Sequence, residues 1–188
     1  MQTLGLSDST PRSESRLRAL FWPTIRNSGD FDYITRQGFW VCFLVGVATI
    51  VFSAFAGTLL TGMFEGSFYI LAAIGVRERS RVAAIAALSA YFLGSLVVQR
   101  YTGSGFSVMR IIFLALLFAN IRGNWLASGW KNPEDDALLQ MSRLNETMVD
   151  KLVDQMPAIV WPIGRFVLYA FAGVEMILLL ISLFAVRA

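Results

Sequence analysis

Residues 39–60, FWVCFLVGVATIVFSAFAGTLL, run for 22 positions without a charged side chain. A helix of about 20 apolar residues crosses the roughly 30 Å hydrocarbon layer of a bilayer, so this stretch reads as a membrane span. Four more apolar runs follow it, ending near Val76, Val98, Ile121 and Val186. Hydrophobic residues make up 56 % of the 188 positions, charged residues 15 %, and the mean hydropathy is +0.60, too apolar for a soluble domain of this size. The fold class expected is an all-α membrane protein of five transmembrane helices with one further amphipathic helix lying on the membrane.

The segments between the runs set the organisation. Residues 1–37 form an N-terminal tail and interfacial segment, in which Arg16, Arg18 and Arg26 alternate with Leu17, Leu20, Phe21, Trp22 and Ile25 around Pro23. That pattern fits either a short helix in the headgroup layer or a loop packed on the bundle. Residues 38–121 form a four-span bundle. In its first span Ser53, Gly57 and Thr61 recur every four positions, as in close helix contacts. A turn at Thr61 and Gly62 opens the second span, and residues 62–76 cross the membrane fully only if Met63 to Gly66 lie inside it. Arg77, Glu78, Arg79, Ser80 and Arg81 make a charged hinge, and the Ala-rich third span, 82–98, has the composition of a helix among helices.

Residues 122–160 are the one long polar stretch. Asn132, Pro133, Glu134, Asp135 and Asp136 make a helix start, combining a cap, a first-turn proline and acidic residues at the positive dipole end. Leu138, Met141, Leu144, Met148, Leu152 and Met156 then recur three or four apart, giving the apolar stripe of a helix docked on the membrane. Residues 161–188 supply the fifth span. With the amino terminus inside, 13 of the 16 basic residues are cytoplasmic, all but Arg100, Arg110 and Arg187, as the positive-inside rule requires. The expectation is therefore N-in and C-out in the plasma (inner) membrane, with Trp22, Trp40, Trp125, Trp130 and Trp161 as interfacial anchors.

Several chemistries are excluded or weakened. There is no histidine, which removes the commonest general base and a principal zinc and haem ligand. The one cysteine, Cys42, has no partner for an intrachain disulfide and reads as an apolar filler. Gly103, Ser104, Gly105 and Ser107 look like a nucleophile turn, but with no base nearby they read as a flexible turn. The basic residues are scattered beside spans, so no nucleic-acid partner is expected. No catalytic residue, metal ligand or cofactor is expected either.

Charged residues inside spans cost about 3 kcal/mol or more each, so they tend to pair or to line polar paths. Glu65, Arg110 and Glu175 each stand 12 to 14 positions from the cytoplasmic end of their spans, about 18–21 Å along a helix. If the second, fourth and fifth spans are neighbours, Arg110 bridges two carboxylates. Three readings stay open: an ion-pair clamp that fixes packing, a site for a proton, cation or small anion, or charges that reach the surface. In layout, five spans with a cytoplasmic amino terminus, the chain is similar to the Yip family of small membrane proteins, a likeness that implies trafficking rather than catalysis and that no motif carries. The function expected is a non-enzymatic scaffold or subunit of a membrane assembly, contacting lipid and a membrane-protein partner or a second copy. The alternative is a small transporter or channel using the Glu/Arg cluster.

Overall fold

A computed structural model of the chain describes residues 21–22, 28–127 and 160–185. These form five helices: α1 (Ser28–Phe55), α2 (Leu59–Arg77), α3 (Arg81–Thr102), α4 (Val108–Ala127) and α5 (Val160–Ala185). All five are long and apolar enough to cross a membrane, and no strand occurs among the described residues. The amphipathic segment from Asn132 to Met156 lies outside the described residues, as does Trp130.

The turns come from backbone chemistry more than from polarity. Gly57 takes φ 75°, a left-handed conformation that a side chain disfavours, and this ends α1 just beyond Phe55. The α1–α2 turn therefore falls at residues 56–58 and not at Thr61 and Gly62, which are already helical. Starting at Leu59, α2 has 19 residues, about 28 Å at the helical rise, so the second run is long enough for a full span. At the α2–α3 turn the Glu78 and Ser80 N–H groups donate back to the Ile74 and Gly75 carbonyls at 2.9 and 2.8 Å, and the Ser80 hydroxyl accepts from the Ala83 N–H to cap α3. Gly103, at φ 65°, closes α3. Helix α4 continues past Ile121 to Ala127, with Asn120 and Gly123 against Ile34 of α1 and Asn124 buried beside Asn120.

Packing follows a simple plan. Helices α1 to α4 form a ring in which each touches the next and α4 returns to α1, while α5 lies outside it in the seam between α2 and α3. The α1–α2 contact is close: a Cβ at Gly66 would lie 2.7 Å from the Gly46 carbonyl oxygen, and one at Gly62 would run into Ser53. So Ser53 serves the contact expected of it, whereas Gly57 belongs to the turn. The core is built from Phe39, Cys42 and Val45 of α1, Phe68, Ala72, Ala73 and Val76 of α2, the alanines of α3, Leu116 and Leu117 of α4, and Leu168 of α5. Small side chains on α3 let three neighbours approach it, which is what its composition foretold.

Candidate functional site

Two polar centres sit within this apolar frame, one near each end of the bundle. The first lies on the α2–α5 seam. Its register is fixed at two points: the Phe171 ring packs on Phe64 at 4.9 Å, and a Cβ on Gly75 would stand 2.5 Å from the Trp161 ring. Between those points α5 advances ten residues, from 161 to 171, while α2 recedes eleven, from 75 to 64, as antiparallel neighbours must. Glu175 follows one turn after Phe171 and Glu65 one residue after Phe64. Side chains lean toward the start of their own helix, so the two carboxylates lean toward each other along the seam.

They lie within electrostatic range of one another. Glu175 is only 3 % exposed, on the inward face that also carries Leu168, Phe171 and Leu179. Glu65 is partly buried. Among the described residues neither carboxylate has a hydrogen bond or an ion pair. Tyr69, one turn from Glu65 on the same side of α2, is buried and within electrostatic range of both acids. Its ring meets Tyr91 of α3 edge-on at 6.5 Å, and Tyr91 in turn meets Phe113 of α4 at 6.0 Å.

Arg110 does not join the carboxylates. It stands at the start of α4, which packs on α1 and α3, and its charge reaches Tyr91 instead. The three charges are similar in depth, but depth along a helix does not fix which neighbour a side chain faces. The bridge expected from the sequence required α4 beside α2 and α5, and α3 occupies that place.

The second centre was not foreseen. At the other end of the bundle Thr35 of α1, Arg77 of α2, and Asn120 and Asn124 of α4 are all buried. Arg77 Nη1 donates to Thr35 Oγ1 at 3.1 Å, and Asn120 Nδ2 donates to the Ile34 carbonyl at 3.1 Å. Asn124 Nδ2 donates to the Asn120 carbonyl at 3.0 Å and to Asn120 Oδ1 at 3.1 Å, while Asn124 Oδ1 is buried with no partner among the described residues. Gly38 leaves the space Asn120 needs, since a Cβ there would run into it. These bonds brace three helices. The available signal was two asparagines four apart inside an apolar run, which places both on one helix face.

The described tryptophans gather at the same end. Trp161 meets Gly75, Trp40 lies half a turn beyond Gly38, and Trp125 follows Asn124 with 65 % of its surface exposed. Trp22 stacks on Phe118 at 6.2 Å with the Arg122 guanidinium 4.5 Å from its ring centre, so this part of the N-terminal segment is seated on α4. In the 103–107 turn, the Ser107 hydroxyl accepts from the Arg110 N–H and so caps α4.

No family model, no curated protein and no solved structure matches the chain.

Proposed function

We propose that this chain is a non-enzymatic, multi-pass protein of the plasma (inner) membrane that serves as a subunit or scaffold of a larger membrane assembly, joined to its partner through α5. The observation that carries this reading is the place of α5. The ring of α1 to α4 closes without it, and only 11 % of its apolar stretch is buried inside the chain, against 44 % for α2. The centre of its outer face runs through Phe166, Ala170, Gly173 and Ile177, all exposed, with open space above Gly173. Large side chains flanking a small notch let a second helix approach closely, the arrangement that drives helix association in lipid. The partner proposed is therefore a transmembrane helix of another membrane protein. Neither a cofactor nor a nucleic acid enters this reading.

A photo-crosslinking amino acid at Gly173, activated in whole membranes, tests it. A protein adduct is expected from Gly173, and none from the same group placed at Phe92, exposed on α3. Adducts to lipid alone at both positions sink the scaffold reading, and a product of twice the chain mass identifies the partner as a second copy.

A second reading, a small transporter or channel, is favoured by the two carboxylates on neighbouring α2 and α5, because carboxylates in a span tend to mark ion paths. Reconstitution in vesicles, with proton and sodium flux measured for the native chain and Glu175→Gln, tests it. Equal, background flux from both ends that reading.

A further inference from the structure

The two asparagines of α4 make a chain of hydrogen bonds whose direction is forced. The Ile34 carbonyl can only accept, so Asn120 turns its amide nitrogen to it and its amide oxygen away. That oxygen and the Asn120 carbonyl can only accept as well, so Asn124 turns its own nitrogen to them, at 3.1 and 3.0 Å. Asn124 Oδ1 is what remains. It is sealed from solvent, on a side chain 3 % exposed, and has no partner among the described residues. Turning either amide over sets oxygen against oxygen, so the closed bundle satisfies this pair in neither orientation. A buried acceptor left dry costs about as much as a hydrogen bond contributes, or more.

The joint that carries this defect is the one that closes the ring. Helices α1 and α4 are not consecutive, and at this end they meet through the Asn120–Ile34 bond and through Gly123, where a Cβ would stand 2.8 Å from the Ile34 side chain. Closing the joint gains that bond and loses the hydration of Asn124 Oδ1. The two effects are of one size and opposite sign, which leaves the contact of Ile34 with Gly123 to hold the joint shut. Helix α1 has other ties at this level: Arg77 of α2 donates to Thr35, next to Ile34, and α2 packs closely on α1 at Gly46 and Gly66. Helix α4 is held further along its length, by Leu116 and Leu117 in the core and by the ring of Phe113 on Tyr91. The part with the weakest hold is therefore the end of α4, from Asn120 to Ala127.

We infer that the α1–α4 joint, at the end where the tryptophans gather, is a latch. The last two turns of α4 move between the closed position of the structure and an open one, in which Asn124 Oδ1 accepts a hydrogen bond from water at headgroup level. Local opening of this kind is how a helix end with few ties relieves an unsatisfied group. The latch requires nothing of α5, Glu65 or Glu175, so it stands apart from both the assembly and the transport readings.

Thiol labelling reads the latch within one molecule. Ile34→Cys places a thiol in the joint, and the native Cys42, on the same helix and equally buried at 1 %, is the reference. The full-length protein in mild detergent is treated with N-ethylmaleimide, both sites are followed by peptide mapping, and each rate is divided by its rate in unfolded protein. Position 34 should react about tenfold faster than Cys42, or more. Equal, slow labelling of the two overturns the latch, and so does fast labelling of both, which reports a bundle loosened throughout. Adding Asn120→Leu and Asn124→Leu separates a latch from a simple brace. The Leu pair keeps the branching of the side chains, removes both amides and leaves no dry acceptor, so labelling at position 34 should fall about tenfold. If the asparagines only brace the helices, their loss speeds that labelling, and this result overturns the latch. Circular dichroism checks that the Leu variant folds; where it does not, the comparison of position 34 with Cys42 in the native asparagine background decides alone. The closed position has its own check in Ile34→Cys with Gly123→Cys, because a Cβ on Gly123 lies 3.6 Å from that of Ile34, within disulfide range. Oxidation should join the two within one chain, and failure to form that bond overturns the latch by removing its closed state.

Discussion

Asn120 holds the bundle's second polar centre together because it reaches across a helix boundary, and Gly38 is what lets it do so. A side chain at position 38 would collide with Asn120 and with Val76, both buried in the core. Gly38→Leu should lower stability by about 1–3 kcal/mol, as overpacking does in tight cores, while Gly105→Leu, with nothing within 4 Å, should be close to neutral. Melting of the two variants in the same detergent checks the contrast. Equal midpoints would show that Asn120 has room to move aside. The charged residues invite a sharper comparison. Because α3 stands between Arg110 and the acids, Glu175→Gln and Arg110→Gln should have additive effects on stability, within about 0.5 kcal/mol. Glu65→Gln and Glu175→Gln should be non-additive, since either change alone removes the repulsion between them. Coupling between Arg110 and Glu175 in the double-mutant cycle would restore the clamp that the sequence depths allow.

At the scale of elements, the five runs were legible because hydropathy reports burial in lipid regardless of which helix lies beside which. What stayed hidden was rotation about each helix axis and the choice of neighbour. The equal depths of Glu65, Arg110 and Glu175 could be counted from the sequence, but that Arg110 sits on a helix packed on α1 and α3 is found only in the order of helices around the ring. The α1–α2 turn was misplaced by a related blindness: residues 56–58 are no more polar than Thr61 and Gly62, and only the left-handed backbone at Gly57 distinguishes them. Asn120 and Asn124 passed unremarked because each alone is tolerable in a span, and their value comes from the α1 backbone that Asn120 meets and from the bonds Asn124 makes to Asn120. Helix α5 gives this scale its own test. Leu168→Ala, in the seam at 0 % exposure, should cost about 2–5 kcal/mol, whereas Ile177→Ala on the outer face should cost little in detergent. If both variants lose the same stability by thermal melting, α5 is not seated as described.

For the whole molecule the decisive quantity is which end faces the cytoplasm, and the distribution of Trp and Arg answers it with one expectation. Trp22, Trp40, Trp125 and Trp161 stand at the end where α1 and α5 begin, together with Arg36, Arg77, Arg79, Arg81, Arg122 and Arg165. The opposite end carries Arg100 and Arg110 and a five-residue turn at 103–107. Aromatic rings anchor at both interfaces, but basic residues are retained on the cytoplasmic side, so the Trp-bearing end should be the inner one. Cys42 is the chain's single cysteine and is buried, so Cys42→Ala gives a background in which one introduced thiol can be read alone. In that background an impermeant maleimide added to intact cells should label a cysteine at Gly103, which is exposed in the 103–107 turn, and spare one at Asn145. Permeabilised cells should label both. The opposite pattern in intact cells would turn the protein over and place the 128–159 stretch outside. Labelling of both sites in intact cells would mean that one of the five helices does not cross, and α2, the shortest, would then be the first to re-examine.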